Sequence, residues 1–355
     1  MRVINVGALS WFELTVDEHR SLPIVEIDGT NISPAPESSI IVAPGQRYSV
    51  ILSTNQSSSP DGYWLRARMM KHCFGENVAP DEGFQEVKAI IRYDTPGSPS
   101  TLPTTSPNGN HAVECIDMNT LTTYHPIPAL PAPFSADRSY YLRLSVEIGS
   151  YRLERGKLNG SSYRPDLSSP TLHRVLAGLA SGNPSYQALG PNTLAFDPST
   201  ELVISHSGPE VVDVVLQNFD EGNHPFHLHG HKFFVLGAGH GYFPGYVSLG
   251  LRADGKGLLE AHNDTVMANP VRRDVATVEG FGWALIRFVA DNPGVWLFHC
   301  HLAWHSESGM AMQFVSRLDM LGNWTLPKAN KRLCEVPAEE LKKGATPSDS
   351  IWYDS

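Results

Sequence analysis

Short apolar runs, separated by glycine and proline, fill residues 1 to about 95. Their β-branched and aromatic side chains predict strands rather than helices. The predicted strands are Ile24–Ile27, Ser39–Val42, Arg47–Leu52, Tyr63–Ala67 and Val87–Tyr93. Ala43–Gln46, with its central proline and glycine, predicts the turn between the second and third of these strands. Many short strands joined by such turns indicate a β-sandwich.

The pattern returns after residues 94–111, a stretch rich in proline, serine and threonine that we interpret as a linker. Further strands are predicted at Ser139–Val146, Glu210–Asn218 and Trp283–Phe288, and one helix at Arg174–Ser181. A chain of 355 residues has room for two domains of ordinary size. The predicted fold class is therefore all-β, with two consecutive β-sandwich domains.

A cysteine between two histidines follows the apolar run Val295–Phe298, which predicts a buried strand. Because side chains alternate along a strand, Cys300 points to one face while His299 and His301 share the other. One strand can therefore supply two metal centres. A thiolate, two imidazoles and a weak axial thioether form the blue-copper ligand set, which suits one-electron transfer. Three of these four ligands come from Cys300, His305 and Met310.

A second histidine-rich stretch, His224–His231, offers the remaining imidazole. If this stretch is extended, His224 can go with Cys300, while His227 and His229 go with the histidine pair on the other face. The alternative is a structural zinc site or two unrelated histidine-rich strands. Zinc needs only four ligands, whereas the two stretches hold seven histidines and one cysteine, which favours copper.

The segments HPFHLHGHKFFVLG and WLFHCHLAWHSESGMAMQF resemble the two copper-binding motifs in the last cupredoxin domain of multicopper oxidases, especially fungal laccases. A third segment, IVEIDGTNISPAPESSIIVAPGQRYSVILSTNQ, resembles the middle domain of that family. The resemblance implies cupredoxin-like Greek-key sandwiches. Residues 1–111 would form the middle domain, truncated at its start, plus the linker; residues 112–330 would form the third, copper-binding domain, and residues 331–355 a tail.

The resemblance also implies a cofactor set of type 1, type 2 and type 3 copper, with four coppers in the complete enzyme. The implied type 1 ligands are His224, Cys300 and His305, with Met310 axial. His227 is implied to bind the type 2 copper, and His229, His299 and His301 the type 3 pair. His231 matches a motif position that the family does not use as a ligand.

The implied activity is the laccase-like oxidation of a phenol or other electron-rich aromatic. Single electrons would enter through His305 or His224, and four of them would reduce dioxygen to two waters. Met310 stands where many fungal laccases have phenylalanine or leucine, and an axial thioether lowers the copper potential. The alternative for Met310 is a core methionine. Ferroxidase and ascorbate oxidase activity remain alternatives within the enzyme class.

In basidiomycete laccases a carboxylate helps to take the proton of the phenol, and its place here falls near Leu9. Glu13 and Asp17 are the acids nearby, and each is predicted to be a plain surface carboxylate. For Arg272–Asp274 we expect a structural ion pair rather than a catalytic role. The sequence therefore assigns no proton acceptor.

The first domain of the family supplies four more histidines in two His-X-His pairs, and no histidine outside the two motifs here has that spacing. Four of the eight trinuclear ligands are thus present. We expect a fragment or a mis-started reading frame, or else a partner chain that supplies the front. As written, the chain is better described as a type 1 copper electron-transfer module. An inactive remnant that serves as an interaction domain is the remaining alternative.

Net charge and cysteine content bear on partners and location. The charge of −10 argues against a nucleic-acid partner, and no apolar run is long enough to predict a membrane span. The start of the chain lacks the apolar core of a signal peptide. Five Asn-X-Ser/Thr triplets and the family resemblance nevertheless favour a secreted glycoprotein. The resemblance further implies a Cys73–Cys115 disulfide, with Cys334 the odd cysteine.

Overall fold

The computed structural model describes residues 1–56, 61–74, 86–93, 101–109, 115, 124–149, 152–251 and 267–332. Within these ranges the chain is mostly β, and its strands form four sheets. Two sheets of four strands contain the residues before 95, and two sheets of six strands contain the residues after 137. The prediction of an all-β fold with sandwiches of short strands is confirmed.

The first two sheets have the strand orders β1-β6-β3-β4 and β5-β2-β7-β8, and all their pairings are antiparallel. The strands are β1 Arg2–Ile4, β2 Phe12–Val16, β3 Leu22–Ile27, β4 Thr30–Glu37, β5 Ile40–Val42, β6 Arg47–Val50, β7 Tyr63–Met69 and β8 Glu86–Ile91. Each of the five strands predicted in this part is present, with ends that differ by a few residues. The Ala43–Gln46 turn is also confirmed, because the amide of Gln46 donates to the carbonyl of Ala43 at 3.0 Å.

The other two sheets have the orders β10-β9-β13-β18-β15-β16 and β11-β12-β20-β19-β14-β17. Parallel pairing occurs between β9 and β13 and between β12 and β20, and the remaining pairs are antiparallel. The strands are β9 Arg138–Ile148, β10 Glu154–Leu158, β11 Gly190–Pro191, β12 Val203–Ser205, β13 Glu210–Asn218, β14 His224–Leu228, β15 Phe233–His240, β16 Arg272–Arg273, β17 Val275–Val278, β18 Gly282–Ala290, β19 Gly294–Cys300 and β20 Ala311–Ser316.

Few helices accompany these strands in the described ranges. They are α1 Thr171–Ala180, α2 Ala303–Glu307, α3 Leu318–Leu321 and α4 Lys328–Arg332, with 3₁₀ turns at Lys71–Phe74, Pro184–Gln187 and Val247–Leu249. The predicted helix at Arg174–Ser181 is confirmed and begins three residues earlier, at Thr171. Its buried side chains, Val175 and Leu176, pack with Val315 beside the second sandwich.

Strand β13 shows why the larger sheet has apolar residues at consecutive positions. Val212, Val214 and Leu216 face the main core, whereas Val215 belongs to a separate cluster with Trp283 on the outer face. Both faces of the strand are covered, so the sequence need not alternate between apolar and polar residues. The predicted bounds of this strand, Glu210–Asn218, match the observed ones.

The two acids near the start of the chain correct a prediction. Asp17 is fully buried and pairs with Arg66 at 2.6 Å, while Glu13, 2% exposed, pairs with Arg68 at 3.0 Å. The prediction that both are surface carboxylates is therefore wrong. Strand pairing explains the difference, because Glu13 lies directly opposite Arg68 and an adjacent cation offsets the cost of burying the carboxylate.

Ion pairs join the two sandwiches. Nε of the buried Arg273 lies 2.8 Å from Oδ2 of Asp28, and both Nη atoms of Arg47 contact the carboxylate of Asp274. Lys232 adds hydrogen bonds to the β3–β4 turn, at Gly29 and Thr30. The predicted ion pairing is confirmed for Arg273 and Asp274, although each pairs with a residue of the other sandwich.

Cys73 and Cys115 form a disulfide, with Cα atoms 5.3 Å apart, as the resemblance implied. Cys300 is the one free cysteine among the described residues, and Cys334 lies outside them. Within the same ranges, no helix has both the length and the apolar character needed to cross a bilayer.

Candidate metal centre

Strands β14 and β19 place both histidine-rich stretches side by side. They pair antiparallel, with Phe226 opposite Cys300 and His227 opposite His299. Side chains that are opposite each other in a sheet share a face. His224 has the same parity as Phe226, so its side chain lies on the face of Cys300, while His227 and His299 lie on the other face. The register thus separates two groups of ligating side chains, as the alternation in the sequence predicts.

The first group consists of Cys300, His224 and His305. The Sγ atom of Cys300 lies 3.6 Å from Nδ1 of His224 and 3.8 Å from Nδ1 of His305, and the two Nδ1 atoms are 3.0 Å apart. Cys300 and His224 are fully buried, whereas His305 is partly exposed. One sulfur and two imidazole nitrogens therefore converge on a single point.

Helix α2 returns His305 to the end of strand β19. It begins immediately after Leu302, and the amide of Ala303 donates to the carbonyl of Ala8 in the other sandwich at 2.8 Å. Met310 follows the helix and is fully buried. Its amide donates to the carbonyl of His305 at 2.9 Å, and its carbonyl accepts from the amide of Cys300 at 3.0 Å. These bonds hold the backbone of Met310 beside both residues.

Hydrogen bonding and burial set the protonation of the side chains in this group. Nε2 of His224 lies 3.0 Å from Oδ2 of Asp220, so Nε2 carries the proton and Nδ1 presents a lone pair. Burial lowers the pKa of His305 to about 4, further helped by His224, and this keeps His305 neutral at pH 7. Burial raises the pKa of the Cys300 thiol, so a thiolate there needs a cation beside it. Two imidazole nitrogens and a sulfur that converge in this way fit copper.

The second group consists of four histidines on the opposite face. Nε2 of His229 lies 3.1 Å from Nε2 of His299. The ring centroids of His227 and His229 are 4.7 Å apart, and those of His299 and His301 are 5.6 Å apart. His301 follows the last residue of β19, yet its ring remains 5.9 Å from that of His227. The structure therefore brings together all four predicted trinuclear ligands.

Hydrogen bonds fix the orientation of two rings in this group. Nδ1 of His227 lies 2.9 Å from the carbonyl of Asp274, and Nδ1 of His299 lies 2.8 Å from the carbonyl of Cys300. Each Nδ1 therefore donates a proton, and each Nε2 is left with a lone pair for a metal. Burial lowers the pKa of His299 to about 3, so this histidine is neutral at pH 7. This donor set also fits copper.

His231, the last histidine of its motif, lies apart from both groups. Its ring packs against Phe288 and Trp296, and its Nδ1 contacts the carbonyl of His229 at 3.1 Å. It is 8% exposed and faces apolar residues, in keeping with a position that the resemblance excludes from the ligands.

Asp220 is a residue of the site that the sequence interpretation missed. Its carboxylate contacts the ring of His224, and hydrogen bonding to His224 lowers the pKa of Asp220 although burial acts in the opposite direction. The available signal was an acid four residues before the first histidine of the motif. The proposed carboxylate position near Leu9 holds no acid, and Leu9 packs against the core.

Two sequence profiles described as multicopper oxidase match the chain, one over residues 1–96 and the other over residues 164–319. Together they cover more than half of it. Among curated proteins, Laccase-2 of Podospora anserina is 32% identical over 334 residues, which are 91% of this chain and 48% of that protein. The iron transport multicopper oxidase fio1 of Schizosaccharomyces pombe is 30% identical over 339 residues, 94% of this chain and 48% of its own length.

Among solved structures, the laccase of Botrytis aclada superposes with a TM-score of 0.70 and 28% sequence identity, over 98% of this chain and 56% of that protein. The chain thus spans about half the length of the curated relatives that it matches. The similarity extends across both sandwiches, including the segments that carry the two groups of histidines.

Proposed function

Because the chain belongs to the multicopper oxidase family, we propose that it carries the electron-accepting half of a laccase-like oxidase. The proposed reaction removes one electron at a time from a phenolic or other electron-rich aromatic substrate. Four such electrons, with four protons, reduce one dioxygen to two waters. The main support is the convergence of Sγ of Cys300 with Nδ1 of His224 and of His305.

Cys300, His224 and His305 would hold a type 1 copper in this proposal, with the thioether of Met310 as a further, weak ligand. Copper bound there supplies one-electron redox chemistry. The protein fixes the geometry, because His224 is held by Asp220 and His305 by helix α2. His224 is fully buried and His305 partly exposed, so we expect the substrate to contact the edge of His305.

The four-histidine cluster of His227, His229, His299 and His301 is proposed to be part of the type 2 and type 3 sites. The Nε2 atoms of His229 and His299 face each other at 3.1 Å, which supports metal binding there. Oxygen reduction at a trinuclear site needs four further histidines, and we propose that another cupredoxin domain supplies them. The proposed domain limits are residues 1–111 and 112–330, with residues 331–355 as a tail.

Asp220 gives a reason to consider a second function, the oxidation of ferrous iron. Its carboxylate touches a ligand ring and is 23% exposed, so a cation bound by it would lie one imidazole away from the copper. The name of the relative fio1 assigns it to iron transport. Both functions would use the same four-histidine cluster. They would differ only in the reductant and in the residue through which its electrons reach the copper.

Secretion and glycosylation are also part of the proposal. The Cys73–Cys115 disulfide supports an oxidising compartment. Asn31, Asn55 and Asn323 are exposed and can accept a glycan. Asn159 is a poor acceptor, because its amide donates to the carbonyl of Tyr141.

Copper stoichiometry together with an optical spectrum of the purified, copper-loaded chain tests the function. We expect an intense blue absorption from the Cys300 site and no oxygen consumption by this chain alone. Addition of the cupredoxin domain that carries two His-X-His pairs should then restore oxygen uptake with a phenol as reductant. A colourless copper complex would overturn the proposal.

A further inference from the structure

The turn between β5 and β6 reaches from the first sandwich to the four-histidine cluster of the second. Gly45 occupies the second central position of this turn, with a φ of +83°, and the preceding Pro44 occupies the first. A β-carbon added to Gly45 would lie 2.5 Å from Cδ2 and 2.7 Å from Cγ of His301. Gly45 therefore lies so close to this imidazole that any side chain larger than a hydrogen would collide with the ring.

Arg47 follows this turn as the first residue of β6 and is linked through Asp274 to a second histidine of the cluster. Nη2 of Arg47 donates to Oδ2 of Asp274 at 2.8 Å, in a paired contact that also involves Nη1. The carbonyl of Asp274 accepts the Nδ1 proton of His227 at 2.9 Å. Arg47 thus holds Asp274, and the carbonyl of Asp274 in turn orients the ring of His227.

The turn is itself rigid. Its ends are joined by the bond from the amide of Gln46 to the carbonyl of Ala43, and the side chain of Gln46 accepts from the amide of Ala43 at 3.0 Å. The amide of Gly45 donates to the carbonyl of Asn5 at 3.0 Å. Nη1 of Arg47 also donates to the carbonyl of Gly45 at 3.2 Å, so the parts that touch His301 and Asp274 are linked directly.

From these contacts we propose that the Ala43–Gln46 turn, together with Arg47, positions the ligands of the four-histidine cluster. Gly45 sets the plane of the His301 ring, and Arg47 fixes His227 through Asp274. The first sandwich then has a role at the proposed oxygen-reducing site, although none of its described residues is a proposed ligand. This inference rests on the proposed function, because it assumes that the cluster binds copper.

The alternative is that the turn only holds the two sandwiches together, and the other contacts between them argue against this. The sandwiches are already joined by the buried pair of Arg273 with Asp28 and by the bonds of Lys232 to Gly29 and Thr30. Those contacts are made by side chains that are not proposed copper ligands. Gly45, in contrast, contacts a ring that carries a proposed ligand atom, and its Cβ position lies 3.0 Å from Nε2 of that ring.

The test compares Gly45→Ala with Gly160→Ala. Gly160 has a φ of +84°, and a β-carbon added there meets no atom within 4 Å. Both substitutions therefore introduce the same backbone strain, but only the first meets an imidazole. After the blue site of the full chain is filled, further Cu(II) is titrated and followed by electron paramagnetic resonance as a non-blue signal.

We expect Gly45→Ala to weaken this second copper site by roughly 10- to 100-fold, the usual effect of altering groups that orient metal ligands. Gly160→Ala should bind the second copper like the unaltered chain. The blue absorption at Cys300 should be the same in both variants, which shows that the third-domain fold is intact. Equal affinities in the two variants would overturn the inference.

A second pair of variants avoids any steric change at His301. Arg47→Gln removes the contacts to Asp274, and Arg174→Gln removes a comparable pair with Glu201 that lies away from both groups of histidines. We expect only Arg47→Gln to weaken the second copper site. Absence of a non-blue copper signal in the unaltered chain would instead reject the proposed cluster itself, and the inference with it.

Discussion

The Nδ1 atoms of His224 and His305 lie 3.0 Å apart, although 81 residues separate them in the sequence. Both rings are held by other contacts, since His224 donates from Nε2 to Asp220 and His305 stands on a short helix. Two imidazole nitrogens this close can share one proton or one cation between them. The fold therefore brings both nitrogens, together with Sγ of Cys300, close enough to bind a single metal ion.

Cys300→Ser tests the ligand at the centre of this site. Serine has nearly the same volume as cysteine, so the buried position should tolerate it, but its hydroxyl is a poor ligand for copper at this kind of site. We expect complete loss of the blue absorption and retention of the non-blue copper at the four-histidine cluster. The measurement is an optical and paramagnetic resonance spectrum of the copper-loaded variant. Blue absorption in Cys300→Ser would place the site elsewhere.

Met310→Leu tests the axial position. Leucine has a similar volume and cannot coordinate, so the fold should be retained while the copper loses a weak thioether ligand. We expect the reduction potential of the blue site to rise by at least ~60 mV, a tenfold change in a one-electron equilibrium. Redox titration of the blue band measures this. An unchanged potential would show that Met310 serves only as a core residue.

Asp220→Asn tests whether the chain oxidises an aromatic substrate or ferrous iron. Asparagine can keep a contact with His224 but has no charge to attract Fe²⁺. Stopped-flow bleaching of the blue band compares the two reductants in this chain without any need for oxygen chemistry. In a laccase-like protein, the substitution should either leave the bleaching rates with the phenol and with Fe²⁺ unchanged or lower both. In an iron oxidase, it should lower only the bleaching rate with Fe²⁺, by roughly tenfold or more. Glu307→Gln, on the exposed side of helix α2, is the control.

Much of the site follows from the sequence because it depends on local spacing. The alternation at His299, Cys300 and His301 predicted two faces, and the pairing of β14 with β19 produces them. The buried acids and the interface depend instead on long-range contacts. Arg47 and Asp274 are 227 residues apart, so no window of sequence could predict their pairing or the contact of Gly45 with His301.

Asp28→Asn tests the buried ion pair between the two sandwiches. Asp28 is fully buried, and Arg273, 3% exposed, would keep its charge without the carboxylate that pairs with it. Breaking such a pair from one side costs about 3–5 kcal/mol. Asparagine also tolerates the φ of +43° at this position, so the backbone is not strained further. Urea unfolding measures the loss.

The control for this pair is Asp319→Asn, which breaks the more exposed contact of Asp319 with Arg317. Surface pairs of this kind contribute about 0–1 kcal/mol. A loss of similar size in Asp28→Asn and Asp319→Asn would contradict the structural importance of the interface pair.

The pH dependence of stability should depend on His206, which is fully buried and lies outside both groups of ligands. Burial lowers the pKa of His206, although the contact of its Nδ1 with Glu210 at 2.6 Å acts in the opposite direction. The unfolded chain, with a histidine pKa near ~6.5, therefore binds a proton at a higher pH than the folded chain does. The stabilisation by neutral His206 is complete above that value and is lost as the pH falls through the folded pKa. Copper-free His206→Gln should thus lose less stability between pH 7 and pH 5 than the unaltered chain, as measured by urea midpoints.

The control is His240→Gln, which replaces a histidine that is 69% exposed and pairs with Glu279. This variant should show the same pH dependence of stability as the unaltered chain. Equal slopes in all three proteins would mean that His206 is protonated as readily in the fold as in the unfolded chain.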